Sequence, residues 1–216
     1  MNTNTNTNTI SIEPIVRDLN TMYAALNDKL FDGKLTPVVI TVSPDNTKGA
    51  YGWYTLAKAW KTDGMDDKLK DGQFKQGYCE INLCAEHLSR PLVEVVGTLL
   101  HEMCHQYNHE NGVKDTSRGG WYHNETYRKA AEEHGLTVTQ DVKYGYCRTS
   151  LTEDLAVWAE ENFTKFDLCR RTLTKKQKKT VKSHSIKYTC PCCGNSVRAT
   201  KVVNIRCADC DVLMEE

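Results

Sequence analysis

The chain has 216 residues, 39% of them apolar and 26% charged, which suits one good hydrophobic core with room for a small satellite module. No run approaches the roughly 20 apolar residues that a membrane helix needs, so no membrane partner is expected. The net formal charge of zero hides an asymmetry. Residues 1–167 hold 17 Lys/Arg against 24 Asp/Glu, whereas the remainder holds 11 against 4, with no acid between Arg170 and Arg206. That distribution, unlike the average, points to a polyanionic partner.

The Asn-Thr repeat at the start has nothing to bury, and residues 1–10 are expected to be a disordered tail. No basic segment precedes an apolar run there, so a cytoplasmic protein is expected rather than an exported one. Ser11 and Pro14 then open a helix. Its apolar residues Ile15, Leu19, Met22, Leu26 and Leu30 recur at spacings of three and four, up to Asp32-Gly33. Short strands are predicted over Val38–Val42, Ala50–Tyr54 and Tyr78–Leu83, with a polar loop between Lys61 and Gln76. Ser89 and Pro91 mark the start of a second helix. Its stripe is Leu92, Val95, Val96, Leu99, Leu100 and Met103, and it stops near Asn111-Gly112. After a loop through Gly119-Gly120, a third helix is predicted from Asn124 to His134. Ser150 and Glu153 are spaced as a capping box for a fourth, which carries Leu155, Trp158 and Ala159.

The second helix carries His101, Glu102 and His105 as H-E-x-x-H. Residues four apart rise about 6 Å and share a face, so both imidazoles can reach one zinc at about 2.0–2.1 Å. Zinc lowers the pKa of a bound water and polarises a peptide carbonyl. Glu102, beside that face, can take the water's proton and pass it to the leaving amine. Two histidines and a glutamate buried without a metal would be costly. His109 lies about 12 Å along the helix from His101 and is too far to join them. Across the glycine loop two third ligands remain open, His123 and Glu125, with His123 preferred. Cys104 points away from the histidine face and is expected to pack. Tyr51, Trp53 and Tyr54 can line a cleft or serve the core. Tyr144 and Tyr146 are candidates for stabilising an oxyanion. Either Cys79–Leu83 or Ala50–Tyr54 can supply a sheet edge to an extended substrate.

Ten cysteines is a high count, and five of them fall between Cys190 and Cys210. Cys190/Cys193 and Cys207/Cys210 have zinc-ribbon spacing, with four thiolates for a structural ion. Gly194 supplies the conformational freedom that a tight knuckle wants. The alternating run Val197–Ile205 predicts a hairpin joining the two knuckles. Before them, the basic arc Arg170, Arg171, Lys175, Lys176, Lys178, Lys179, Lys182 and Lys187 can contact phosphates without reading base sequence. Tyr188 can stack on a base. The expected organisation is therefore a body over 11–167, a basic linker over 168–187 and a four-cysteine zinc-ribbon module over 188–216.

TLLHEMCHQYNHENG followed by GGWYHNETY resembles the SprT-like, or Spartan-like, zinc metallopeptidases. His123 and Tyr127 match that family's third histidine and the aromatic four residues beyond it. LNDKLFDGKL, AYGWY and CEINL resemble its earlier segments, and the cysteine tail resembles its C-terminal zinc ribbon. The resemblance covers roughly residues 15–214. It implies an α+β fold: a compact zincin-like domain with a small sheet and an HExxH helix, followed by the ribbon. It also implies two zinc ions, one catalytic and one structural, and a protein or peptide substrate. Eukaryotic relatives are DNA-dependent proteases that clear crosslinked proteins. The expectation is thus a monomeric zinc endopeptidase acting on DNA-associated proteins. The competing reading is a nucleic-acid-binding accessory protein whose zincin body is not catalytic.

Overall fold

The computed structural model describes residues 11–44, 49–62, 77–163, 171 and 185–216. The expected tail, most of the Lys61–Gln76 loop and most of the basic linker lie outside the described residues. Two units emerge, Met1–Thr172 and Leu173–Glu216.

The first unit opens with α1, Glu13–Leu30, whose buried face is Ile15, Leu19, Met22, Tyr23 and Leu26. Ser11 Oγ accepts the Glu13 N–H at 3.0 Å, and Pro14 occupies the first turn, where a missing N–H costs nothing. The helix stops because Asp32 and Gly33 turn left-handed. Strands β1 (Val39–Ser43), β2 (Gly52–Trp60) and β3 (Tyr78–Cys84) form a sheet in the order β1-β3-β2. β1 runs parallel to β3 and β2 runs antiparallel to it. β3 is therefore central and, among the described residues, β1 and β2 are the edges; β2 is longer than the predicted Ala50–Tyr54.

Helix α2, Leu92–Glu110, is the spine of the unit. Val95, Val96, Leu99, Leu100 and Met103 are wholly buried, so the predicted stripe does face the core. Its N-cap position is Pro91, two residues after the predicted Ser89, and the Pro91 carbonyl accepts from Glu94 and Val95. On its other side lies a second sheet, ordered β4-β5-β7-β6. It is built from β4 (Thr116–Ser117), β5 (Tyr122–His123), β6 (Leu136–Asp141) and β7 (Gly145–Leu151). The β6–β7 hairpin was not expected from the sequence. Its inward residues, Leu136 and Val138, alternate with Thr137, Thr139 and Asp141, a half-buried strand pattern only six residues long. Helix α3, Glu125–Glu133, is capped by the Asn124 side chain, which accepts from the N–H groups of Thr126 at 2.8 Å and Tyr127 at 3.1 Å. Helix α4, Glu153–Asn162, buries Leu155 and Ala159. Its N-cap position is Thr152, without a side-chain cap. The predicted capping residue Ser150 instead pairs with Thr137 inside β7, so strand pairing overrides the capping box.

In the second unit the hairpin differs from the one predicted. β8 (Ile186–Thr189) pairs with β9 (Ser196–Ala199), so the strands flank the first knuckle instead of joining the two, and no strand covers 200–205. Each knuckle needs a left-handed residue four places after its first cysteine, and Gly194 and Asp211 supply it at φ 75° and 50°. The backbone N–H groups of these two residues donate to the carbonyls of Cys190 and Cys207 at 3.0 and 2.8 Å.

Candidate metal centre

α2 presents His101 and His105 on one face, a turn apart. His123 reaches them from β5, which pairs in parallel with β7 at Gly145. The pairing depends on that glycine. Gly145 has φ 71°, and a Cβ there would collide with the His123 carbonyl and crowd the Tyr122 ring. The His123 N–H also donates to the Tyr144 carbonyl at 3.0 Å. The result is that His123 Nε2 lies 3.2 Å from His101 Nε2 and 3.1 Å from His105 Nε2. Below the three rings sits Tyr127, wholly buried, with centroid distances of 4.8, 4.5 and 4.8 Å to His101, His105 and His123.

The outer ring nitrogens of the α2 pair are held as well. Asp115 Oδ2 is 2.6 Å from His105 Nδ1 and also accepts from Asn108 Nδ2 at 3.2 Å. Thr149 Oγ1, on β7, is 3.0 Å from His101 Nδ1. Holding Nδ1 leaves Nε2 as the free lone pair that a metal requires. Burial, with the neighbouring imidazoles, keeps His101 well below the usual histidine range. Burial also pulls His123 down to about 4. Both rings are thus neutral, in the ligating form. Glu102 is buried beside them, and burial pushes its carboxyl up to about 7 against a backbone hydrogen bond from Tyr54. Its Oε1 packs over Gly52, where a Cβ would come within 3.3 Å of it and 2.7 Å of the Asn82 carbonyl.

The donor set fits zinc. A tetrahedral ion with nitrogen ligands at about 2.05 Å places them about 3.3 Å apart, close to the separations seen. Glu125 does not contribute. It is exposed and pairs with Arg128 on the solvent side of α3. His109 Nδ1 is 2.7 Å from the Tyr54 hydroxyl, away from the triad. Cys104 packs in the core, and burial raises its thiol. The second cluster, Cys190, Cys193, Cys207 and Cys210, brings its sulfurs within 4.8 Å of one another. The Cys193–Cys207 separation is 3.6 Å, against about 3.8 Å for tetrahedral thiolates at about 2.3 Å. The Cys193 N–H holds the Cys190 thiol below its ordinary range. Cys192 is exposed and stands outside this set.

The SprT-like family model matches residues 19–150. The chain belongs to the SprT-like family. With the histidine triad, that membership makes it a zinc metallopeptidase, and the two clusters are its candidate catalytic and structural zinc sites. The matched span of this SprT-like chain runs from α1 to the end of β7 and takes in every residue of the triad. No curated protein and no solved structure matches the chain. Among the described residues, no helix is long and apolar enough to cross a membrane.

The triad opens into a cleft of about 1190 Å³ between β2, α2 and β7. Tyr51, Trp53 and Tyr54 line it, as does Tyr144. Tyr146 instead packs by the Arg128 guanidinium, outside the lining. Of the two edges considered for a substrate, Cys79–Leu83 is ruled out because β3 is paired on both sides.

The nucleic-acid candidates fare unevenly. Arg170, Lys175, Lys176, Lys178, Lys179 and Lys182 lie outside the described residues. Arg171 bonds through its N–H to the Ala85 carbonyl at 3.1 Å and through its guanidinium to the buried Glu86 at 3.4 Å. Lys187 is exposed and directly opposite Arg198 on the hairpin. Tyr188 is not available for stacking. It is 3% exposed, packs with Cys190, Cys207 and Met214, and its hydroxyl bonds Glu216 and the Val203 N–H. Period-two alternation explains the correction: in β8 the exposed Lys187 and the buried Tyr188 must face opposite sides.

Asp115, Thr149 and Gly145 were missed in the sequence. Nothing in their spacing from His101 or His105 marks them, because each acts through a fold contact. Gly145 alone left a trace, as a glycine between two runs of alternating residues.

Proposed function

We propose that the chain is an endopeptidase in which His101, His105 and His123 hold the catalytic zinc and Glu102 is the general base and acid. The observation that carries this reading is the convergence of three Nε2 atoms beside a buried carboxylate. Zinc, when bound there, supplies a Lewis acid for the scissile carbonyl and an acidified water. Glu102 takes the proton released as the water attacks and delivers it to the leaving nitrogen. A carboxyl raised to about 7 is suited to both transfers near neutral pH. Asp115 and Thr149 keep two of the ligand rings oriented, and the buried Tyr127 ring packs against all three. Among the described residues no strand pairs with the outer side of β2, and that edge would offer main-chain partners to an extended peptide, laying the scissile bond along the cleft.

For the substrates, we favour proteins associated with or crosslinked to DNA. The support is the cationic segment from Arg170 to Arg206 and the cross-strand pair Lys187–Arg198. Two like charges placed directly opposite repel, a cost that a polyanion would relieve. The four cysteines hold the structural zinc of that module. DNA would then act by bringing protease and substrate together, raising effective concentration. The test compares cleavage of a DNA-binding protein by wild type and Glu102→Gln, with and without DNA, at two salt concentrations. Cleavage by wild type only, stimulated by DNA and weakened by salt, is expected. Equal rates with and without DNA would remove the DNA reading, and equal background in wild type and variant would remove the assignment of Glu102.

A further inference from the structure

One glycine in α2 has no structural reason to be there. Gly97 sits in mid-helix, where glycine costs stability relative to alanine. Its φ is not positive, and a Cβ built on it meets nothing nearer than the Leu151 side chain at 3.8 Å. In this it differs from Gly52 and Gly145, where added atoms would collide with backbone carbonyls. Alanine would fit at 97 by ordinary van der Waals contact, so neither turn geometry nor close packing requires the missing side chain.

The position of Gly97 supplies a reason. It lies one turn before His101 on the same helix face, about 6 Å along the axis. It lines the catalytic cleft together with Val93, Leu151 and Ala156. Val93, Leu151 and Ala156 are half-buried apolar side chains that belong to α2, β7 and α4. At the far end the Arg90 guanidinium donates to Thr98 Oγ1 at 2.8 Å and lies 3.6 Å from Glu94, so its charge is balanced. The opposite wall of the cleft is the edge strand β2. A peptide laid along that edge alternates its side chains between two faces, and one face is the α2 floor.

We infer that Gly97 is a specificity-determining residue: its missing side chain, walled by Val93, Leu151 and Ala156, forms a pocket for one large apolar substrate side chain next to the scissile bond. This rests on the peptidase reading and adds to it a substrate preference for Leu, Ile, Met or Phe at one fixed position. A single methylene in such a pocket is worth roughly tenfold or more in discrimination, and a leucine placed at 97 would remove most of the space.

The experiment maps cleavage sites in a mixed peptide library by mass spectrometry, using the full-length zinc-loaded protein and its Gly97→Ala, Gly97→Leu and Ala156→Leu variants. Wild type is expected to show enrichment of large apolar residues at one position. Gly97→Leu should move that enrichment to Gly, Ala and Ser and lower kcat/KM on a leucine-containing peptide by about tenfold or more. Ala156→Leu, which fills the pocket from the α4 side, should do the same if Gly97→Leu does not fold. Gly97→Ala should raise the melting temperature by about 2–4 °C, because nothing in the fold needs a glycine there. An unchanged cleavage profile in a folded, two-zinc Gly97→Leu or Ala156→Leu protein would overturn the pocket alone, as would a lower melting temperature for Gly97→Ala. A wild type that cleaves no peptide overturns the peptidase reading and the pocket with it.

Discussion

The two units of this chain stand in opposite relations to their metals. In the first, Leu19, Met22, Leu26, Ile81, Leu99, Leu100 and Met103 are wholly buried in one core, and two of the three histidines sit on the cleft-lining face of a helix already fixed by that core. In the second, the buried set among the described residues is Tyr188, Met214 and two of the candidate ligands themselves, Cys190 and Cys207. A segment of this size cannot fold on so little apolar burial. Zinc is a guest in the body and the core of the ribbon. The same element thus serves chemistry in one place, where the protein would keep its shape without it, and folding in the other.

Chelation is the strongest way to break this comparison. Stripping both ions should unfold the cysteine unit and leave the body folded. Hydrogen exchange would show it: amides of β8 and β9 lose protection, while those of Leu99, Leu100 and Met103 keep it. Simultaneous loss in α2 would mean that the body also depends on its metal. Glu102→Gln comes next. It should cut peptide cleavage by about 10²- to 10⁴-fold with both ions and the melting temperature retained, since the change removes a proton carrier and not a ligand. Gly145→Ala should release the body zinc but not the ribbon zinc, because a Cβ there would collide with the His123 carbonyl and break the pairing of β5 with β7 that positions His123. Two ions retained in the Gly145→Ala variant would show that β5 yields more easily than its contacts imply. Asp115→Asn should weaken body zinc about 10- to 100-fold, read by competition with a chromogenic chelator, and leave ribbon zinc unchanged. Smallest of all, Glu125→Ala should leave the zinc count and cleavage nearly unaltered, as its carboxylate faces solvent against Arg128.

Much of the body's chemistry was legible in the sequence because it rests on short-range periodicity. His101, Glu102 and His105 lie four residues apart or closer on a helix whose apolar stripe and terminus are local features. The Cys-x-x-Cys pairs are equally local. The choice between His123 and Glu125 was not, since both lie on the far side of a turn. It is decided by the parallel pairing of β5 with β7, a contact between residues 22 positions apart. β6 and β7 themselves escaped because Ser150 and Glu153 offered a capping box that strand pairing overrides. In the ribbon, the alternation of Val197–Ile205 suggested a hairpin between the knuckles. Pairing with Ile186–Thr189 won because it closes the chain around the first knuckle. Tyr188 shows the same limit. Its position beside lysines suggested a base-stacking surface, but a strand puts neighbours on opposite faces, and a unit with so few apolar residues places its aromatic inside.

Counting zinc by native mass spectrometry tests the central claim most directly. Wild type should carry two ions per chain and His123→Ala one, with the remaining ion lost only on Cys207→Ser. A single ion in the wild type, or two retained in a folded His123→Ala protein, would contradict a metal centre built from His101, His105 and His123.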